Sequence, residues 1–156
     1  MRTLCVRCLL LLFLLSLTAN ARAQAACPWL TQGTAEASLQ GSVTVSTHLV
    51  SAKEGTCTFT MQRADAAYTL KIIVAFTNEF RCPDGSRQVP GIGNEAAICS
   101  ANTPRNQTTD TLSSMIRDRF LTVQLTSVSK RSTPLTPEKR QTLIQQTAEE
   151  VAGNLF

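Results

Sequence analysis

Two stretches in which apolar and polar residues alternate one by one commit this chain to β-sheet. Val43, Val45, Thr47 and Leu49 alternate with Thr44, Ser46 and His48, and Cys57, Phe59 and Met61 alternate with Thr58, Thr60 and Gln62. A helix would scatter such apolar groups around its circumference, whereas a strand puts every second side chain on one face. Lys53-Glu54-Gly55 supplies the turn between the two strands, and Arg63-Ala64-Asp65-Ala66 the turn into a third, Tyr68 to Phe76. There Leu70, Ile72 and Val74 point one way and Ile73 and Ala75 the other, which predicts a central strand covered on both faces.

The second half repeats the pattern after an irregular, turn-rich middle from Thr77 to Glu95. Ala96 to Ser100 reads as a short strand and Asn102 to Asp110 as a polar excursion. Leu112, Ser114 and Ile116 then lead through a turn at Asp118 to Leu121, Val123 and Leu125, which makes a hairpin. Helices flank the strands. Thr31 to Gln40 forms a short one, with Thr31 as N-cap, Ala35 and Leu39 turned inward and Gly41 as the stop. Thr136-Pro137 places an N-cap before a proline at the first helical position of a long one. Its apolar stripe is Ile144, Ala148, Val151 and Leu155, with Lys139, Arg140, Gln145, Gln146, Glu149 and Glu150 mostly toward water. The order of helix, three strands, loop, three strands and helix, joined by short turns, predicts one α+β domain with an antiparallel sheet of about six strands. The Thr- and Ser-rich alternate positions leave one sheet face wet, and both helices cover the other.

Residues 1–23 read as a secretory signal, which leaves residues 24–156 as a single exported domain. Arg2 and Arg7 give the positive end, Cys8 to Leu17 is a ten-residue apolar run, and Ala21-Arg22-Ala23 is a cleavage pattern, with a second cut after Ala25 as the alternative. The run is too short for a transmembrane helix, which needs about 20 residues. Arg2, Arg7 and Arg22 leave with the signal, so 12 of the 15 basic residues remain against 11 acids, a net charge of +1. No run of Lys or Arg exceeds the pairs Lys130-Arg131 and Lys139-Arg140, and no aromatics are interleaved, so no nucleic-acid partner is expected. The location is secreted or periplasmic, where disulfides persist. Four cysteines remain, Cys27, Cys57, Cys82 and Cys99. Of the three possible connectivities, Cys27 to Cys57 with Cys82 to Cys99 closes two local loops. No Cys-x-x-Cys pair is present and His48 is the only histidine, so no metal site and no cofactor is expected. Gln24 stands where a lipoprotein signal has an aliphatic residue, and lipidation of Cys27 would strand one cysteine, so no acyl anchor is expected there.

Chemistry-bearing motifs are sparse. Gly91-Ile92-Gly93 has the glycines of an anion-binding loop, yet it lacks the third glycine and the following helix, and reads as a structural turn. Asn106-Gln107-Thr108 fits the N-glycosylation pattern. His48, on a strand among threonines, has no nucleophile beside it. Glu79, Asp84 and Glu95 all fall in or beside the middle loop and are the carboxylates an acid–base reading would use, although 11 acids scattered over the exported domain make such a grouping common by chance.

Cys27, Leu30 and Thr31, then Leu39 and Gly41, then Cys57 and Phe59, resemble the opening of a family of secreted bacterial envelope proteins of unknown function, best known among actinobacterial lipoproteins. Val89-Pro90-Gly91-Ile92-Gly93-Asn94-Glu95-Ala96 is similar to that family's Gly-aliphatic-Gly-Asp/Asn-Glu-Ala loop, and the closing hairpin and helix follow in the same order. The chain is also similar to the extracellular sensor domain of the mycobacterial kinase PknH and to PsbP-like folds. The resemblance implies a twisted antiparallel sheet packed with helices, two disulfides and a cleft for an unidentified ligand. It supplies no catalytic residue. The expected function is therefore a non-catalytic envelope module that binds a small ligand, an envelope lipid or a protein partner, with Gly91, Gly93, Asn94 and Glu95 as the ligand loop. The alternatives are a secreted hydrolase using the middle-loop carboxylates and an inhibitor or adhesin-like surface module.

Overall fold

The computed structural model describes residues 26–77, 85–103, 106–129 and 135–155; the leader, Glu79, Cys82 and Asp84 lie outside them. In chain order the elements are α1 (Gln32–Leu39), β1 (Thr44–Ser51), β2 (Glu54–Gln62), β3 (Ala66–Ala75), β4 (Arg87–Gln88), β5 (Glu95–Thr103), β6 (Gln107–Ile116), β7 (Arg119–Ser129) and α2 (Pro137–Asn154). The strands form one antiparallel sheet in the order β1-β2-β3-β7-β6-β5-β4. It consists of two meanders, β1-β2-β3 and β4-β5-β6-β7, sewn together where β3 pairs with β7 from Ala66 opposite Ser129 to Ala75 opposite Phe120.

The fold is α+β as expected, with seven strands instead of about six. The additional strand, β4, spans only Arg87 and Gln88, which pair with Ile98 and Ala97; two residues carry no readable period. β5 and β6 also run through the stretch expected as a polar excursion. Ser100, Ala101, Asn102 and Thr103 pair with Asp110, Thr109, Thr108 and Gln107, because threonine suits a pleated surface with one wet side. Glu54 and Gly55 belong to β2, so the turn after β1 is Ala52-Lys53.

Both helices lie on one face of the sheet. α2 packs across β6 and β7, and α1 sits on β2. Phe59, Leu70, Ile72, Leu112, Leu121, Val123 and Leu125 line the sheet side of the core, facing Ala35, Ile144, Ala148 and Val151 of the helices. The expectation that β3 is covered on both faces is overturned. Leu70, Ile72 and Val74 are buried, but Ile73 and Ala75 are only half-buried, on a face against which neither described helix packs.

Caps and cross-links fix the helices. Thr31 accepts the Thr34 N–H at 3.1 Å, and α1 ends with Gln40 in the left-handed region at φ 59° instead of with Gly41. Glu36 accepts the Val43 N–H at 3.2 Å, tying α1 to the entrance of β1. The Cys27–Cys57 disulfide, with a Cα–Cα distance of 5.8 Å, pins the segment before α1 to β2, as its local loop predicts. A separation of 30 residues makes it worth about 3–4 kcal/mol in the chain-entropy account. A Cys27 sulfur bonded to Cys57 cannot also form the thioether of a lipid anchor. Cys99 is disulfide-bonded too, and its expected partner Cys82 lies outside the described residues. Trp29 is buried, donates its indole N–H to Ala52 O at 2.9 Å, and accepts from the Asn154 amide through its own carbonyl at 3.0 Å.

Arg140 departs from its expected place in water. It is 6% exposed and pairs with Asp110, which is fully buried on β6. The guanidinium also donates to Leu135 O at 2.6 Å, and the Ser100 hydroxyl donates to the other Asp110 oxygen. Arg140 stands one helical turn before Ile144, so it heads the apolar stripe and is carried into the core with it. Breaking such a pair strands a buried charge, at a cost of about 3–5 kcal/mol, whereas replacing both partners by apolar groups can be neutral. Chemical denaturation is accordingly expected to show Arg140→Met or Asp110→Leu each destabilised by about that amount, and the double variant recovering most of the loss. Non-reducing peptide mapping is expected to return Cys27 linked to Cys57 and Cys82 linked to Cys99.

Candidate functional site

α1 sits on β2 and α2 crosses β6 and β7, so the helix side of β3 is left between them as the floor of a groove of about 400 Å3. Tyr68, Leu39, Leu143 and Leu135 give it an apolar bed, and Ser38, Gln40, Arg63, Glu138, Lys139, Thr142 and Gln146 form its rim. Tyr68 points to this side because it shares the face of Leu70 and Ile72, and Leu143 because it lies three residues after the buried Arg140 and four before the buried Thr147 on α2. The groove is walled by α1 on one side and α2 on the other. Arg63 donates to the carbonyls of Leu39 and Gln40, satisfying the open end of α1 while keeping its positive charge at the rim.

The opposite rim is the first turn of α2. Thr136 caps it and accepts the Lys139 N–H at 3.4 Å. Glu138 is held below the ordinary carboxylate range, first by its own backbone N–H, then by the Thr136 hydroxyl, with the nearby Arg140 charge adding to both. It stays ionised at neutral pH. Its favourable contribution is present above the ordinary carboxylate pKa and is lost as the pH falls through its lowered folded value. The rim thus carries Arg63 and Lys139 against Glu138. The arrangement can seat an apolar body on Tyr68 and the leucines and meet an anionic group at the cationic edge.

A second hollow of about 430 Å3 lies on the helix-free face, among Glu54, Lys71, Ile73, Ala75, Thr77, Phe120, Thr122 and Gln124. Its lining comes from β2, β3, β7 and the residue after β3, and neither described helix lies on this face.

The expected ligand loop, Gly91 to Glu95, runs beside β6. Gly91, Gly93, Asn94 and Glu95 are exposed, but the segment between them is stitched to β6. Ile92 is buried and its carbonyl accepts from the Ser114 hydroxyl at 2.7 Å, while the Asn94 N–H donates to Met115 O at 2.9 Å. Gly93 has φ +62°, and a Cβ there would lie 2.3 Å from Met115 O. Gly93 lets the chain lie flat on β6, and the Asn94 backbone N–H is used by the sheet. Glu95 opens β5 on the helix-free face opposite Met115. The other two carboxylates of the expected trio, Glu79 and Asp84, lie outside the described residues. His48 is exposed on β1 opposite Thr56. Asn106 is exposed in a left-handed turn position at φ 53° between β5 and β6. Among the described residues no group of three or more His, Cys, Asp or Glu side chains could hold a metal ion, and no helix is long and apolar enough to cross a membrane.

Sequence reasoning did not bring the groove residues together. Tyr68 and Leu39 were readable as inward-facing, but the gap between two helices depends on where each lands on the sheet. Comparison with protein-family models, curated proteins and solved structures gives no match.

The glycine geometry separates two neighbouring substitutions. Gly91 has φ +88° with open space around it, so Gly91→Ala is expected to cost only the left-handed penalty of about 1–2 kcal/mol. Gly93→Ala adds a backbone collision and is expected to lower the melting temperature clearly further. Thermal denaturation of the two variants checks the order.

Proposed function

We propose that this chain is a non-catalytic binding module of an extracytoplasmic compartment, and that the groove between α1 and α2 receives a small amphiphile with an anionic head. The observation that carries the reading is the pairing of an apolar bed, Leu39, Tyr68 and Leu143, with a rim that presents Arg63 and Lys139. The volume of about 400 Å3 falls in the range of small-molecule sites and suits one acyl or aryl chain. The walls support binding without large rearrangement, because α1 is held by Glu36 and Arg63 and α2 by Arg140, so little ordering cost is left for the ligand to meet. Export, inferred from the leader and consistent with the disulfide, places the module where envelope lipids and their breakdown products occur.

The apolar anion 1-anilinonaphthalene-8-sulfonate is a direct probe. Saturable one-to-one fluorescence enhancement is expected, with dodecanoate displacing the dye more effectively than an uncharged detergent of equal chain length. Lys139→Glu should weaken dodecanoate roughly fivefold, the factor matching about 1 kcal/mol for an exposed ion pair. Leu143→Trp should abolish dye binding by filling the groove. Unchanged dodecanoate affinity in both variants would overturn the proposal.

A further inference from the structure

The hollow of about 430 Å3 on the helix-free face joins an apolar floor to polar side chains that the fold leaves unused. Ile73 and Ala75 of β3 and Phe120 of β7 form the floor, because the register sets Ala75 opposite Phe120 and Ile73 opposite Thr122. Thr122, in the middle of the hollow, is only 7% exposed. Among the described residues its hydroxyl has no hydrogen-bond partner, and neither has the Glu54 carboxylate, the Lys71 ammonium or the Gln124 amide. Buried hydroxyls are ordinarily bonded. Valine would fill the same place in a strand with no hydroxyl to desolvate.

The charges of the hollow are balanced and set apart. Lys71 lies opposite Thr58 on β2, and Glu54 stands four residues before Thr58, so the two backbone positions are about 13 Å apart along the strands. One cation at one end and one anion at the other favour a ligand without net charge. Between them the Thr122 hydroxyl and the Gln124 amide each donate and accept, which matches groups that themselves do both. Phe120 with Ile73 and Ala75 supplies the flat apolar surface on which the C–H face of a sugar ring rests.

From this combination we infer that the hollow binds a neutral oligosaccharide, with one ring on Phe120 and its neighbour reaching Gln124 and Lys71. Phe120, Thr122 and Gln124 alternate along β7 on one face, so the sugars follow the strand and present hydroxyls to Thr122 on the way. Past Gln124 the polar surface continues. Thr60, Thr69, Thr126 and Thr109 stand side by side across β2, β3, β7 and β6, so a longer glycan leaving the hollow meets hydroxyls instead of apolar groups. The groove between α1 and α2 is on the other face, and the inference does not rest on the function proposed for it.

Titration of the mature protein with triacetylchitotriose and with cellotriose, followed by amide NMR, is expected to give saturable shifts at Phe120, Thr122 and Gln124 with at least one of the two. Thr122→Val should weaken that sugar roughly fivefold, the effect of one lost hydrogen bond, while leaving the melting temperature unchanged or raised. Gln124→Ala, at a half-buried position, should weaken it similarly and is the variant to read if Thr122→Val melts lower. Leu143→Trp, which fills the groove on the other face, should leave sugar binding unchanged. The inference is overturned by the absence of saturable shifts with both sugars, by shifts confined to the groove between the helices, or by wild-type affinity in a folded Thr122 or Gln124 variant. Trialanine, a zwitterion that could also meet Glu54 and Lys71, binding at these residues more tightly than either sugar would overturn it too.

Discussion

The buried contact between Asp110 and Arg140 decides where the long helix lies, and the groove and the core inherit their shape from it. An apolar stripe alone would let α2 slide or rotate on β6 and β7, because Leu, Ile and Val interfaces tolerate several registers. A charge that must meet one carboxylate on β6 admits a single solution, with Ser100 and Leu135 O completing the set of partners. Such a pair is a poor source of net stability compared with well-packed apolar side chains. Its value here is positional, since it sets the distance from α2 to α1 and thus the width over Tyr68.

The one-sided sheet follows from what the strands offer. β2 alternates Cys57, Phe59 and Met61 with Thr56, Thr58 and Thr60, so only one face has enough apolar surface to hold a helix. The other face is a field of threonines with Ile73, Ala75 and Phe120 among them, half-buried because twisted neighbouring strands shade one another. The seam between β3 and β7 joins strands distant in sequence, and the most apolar strand lies there, where non-local pairing has to repay its loop-closure entropy.

Much of this architecture was legible in the residues, for specific reasons. Thr136-Pro137 marked the start of α2, and Thr31 marked that of α1, because capping is a local interaction that sequence spells out. The turn at Asp118 and the first disulfide were likewise local. What escaped depended on partners far along the chain. Arg140 reads as a surface cation until Asp110 is known to lie beneath it. A signal was nevertheless present: Arg140 stands four residues before Ile144 and eight before Ala148, and Asp110 shares the parity of Leu112, Ser114 and Ile116. A charged residue in phase with each of two apolar stripes is a hint that they meet. The two-residue β4 and the inter-helix groove left no such trace, because each arises only from the assembled sheet. In the glycine loop, Gly93 and the Asn94 N–H meet β6, a contact that the residue types alone do not reveal.

Trp29 and Asn154 draw the beginning and the end of the described domain to a single point. The only indole in the chain sits there, buried, anchored to the turn after β1 and capped from behind by the last turn of α2. Topologically the domain is therefore a closed ring with its clasp at one corner. A short flexible linker could join the ends, and the ring could be reopened at an exposed turn away from the clasp, such as Arg117-Asp118, without altering the order of strands in the sheet.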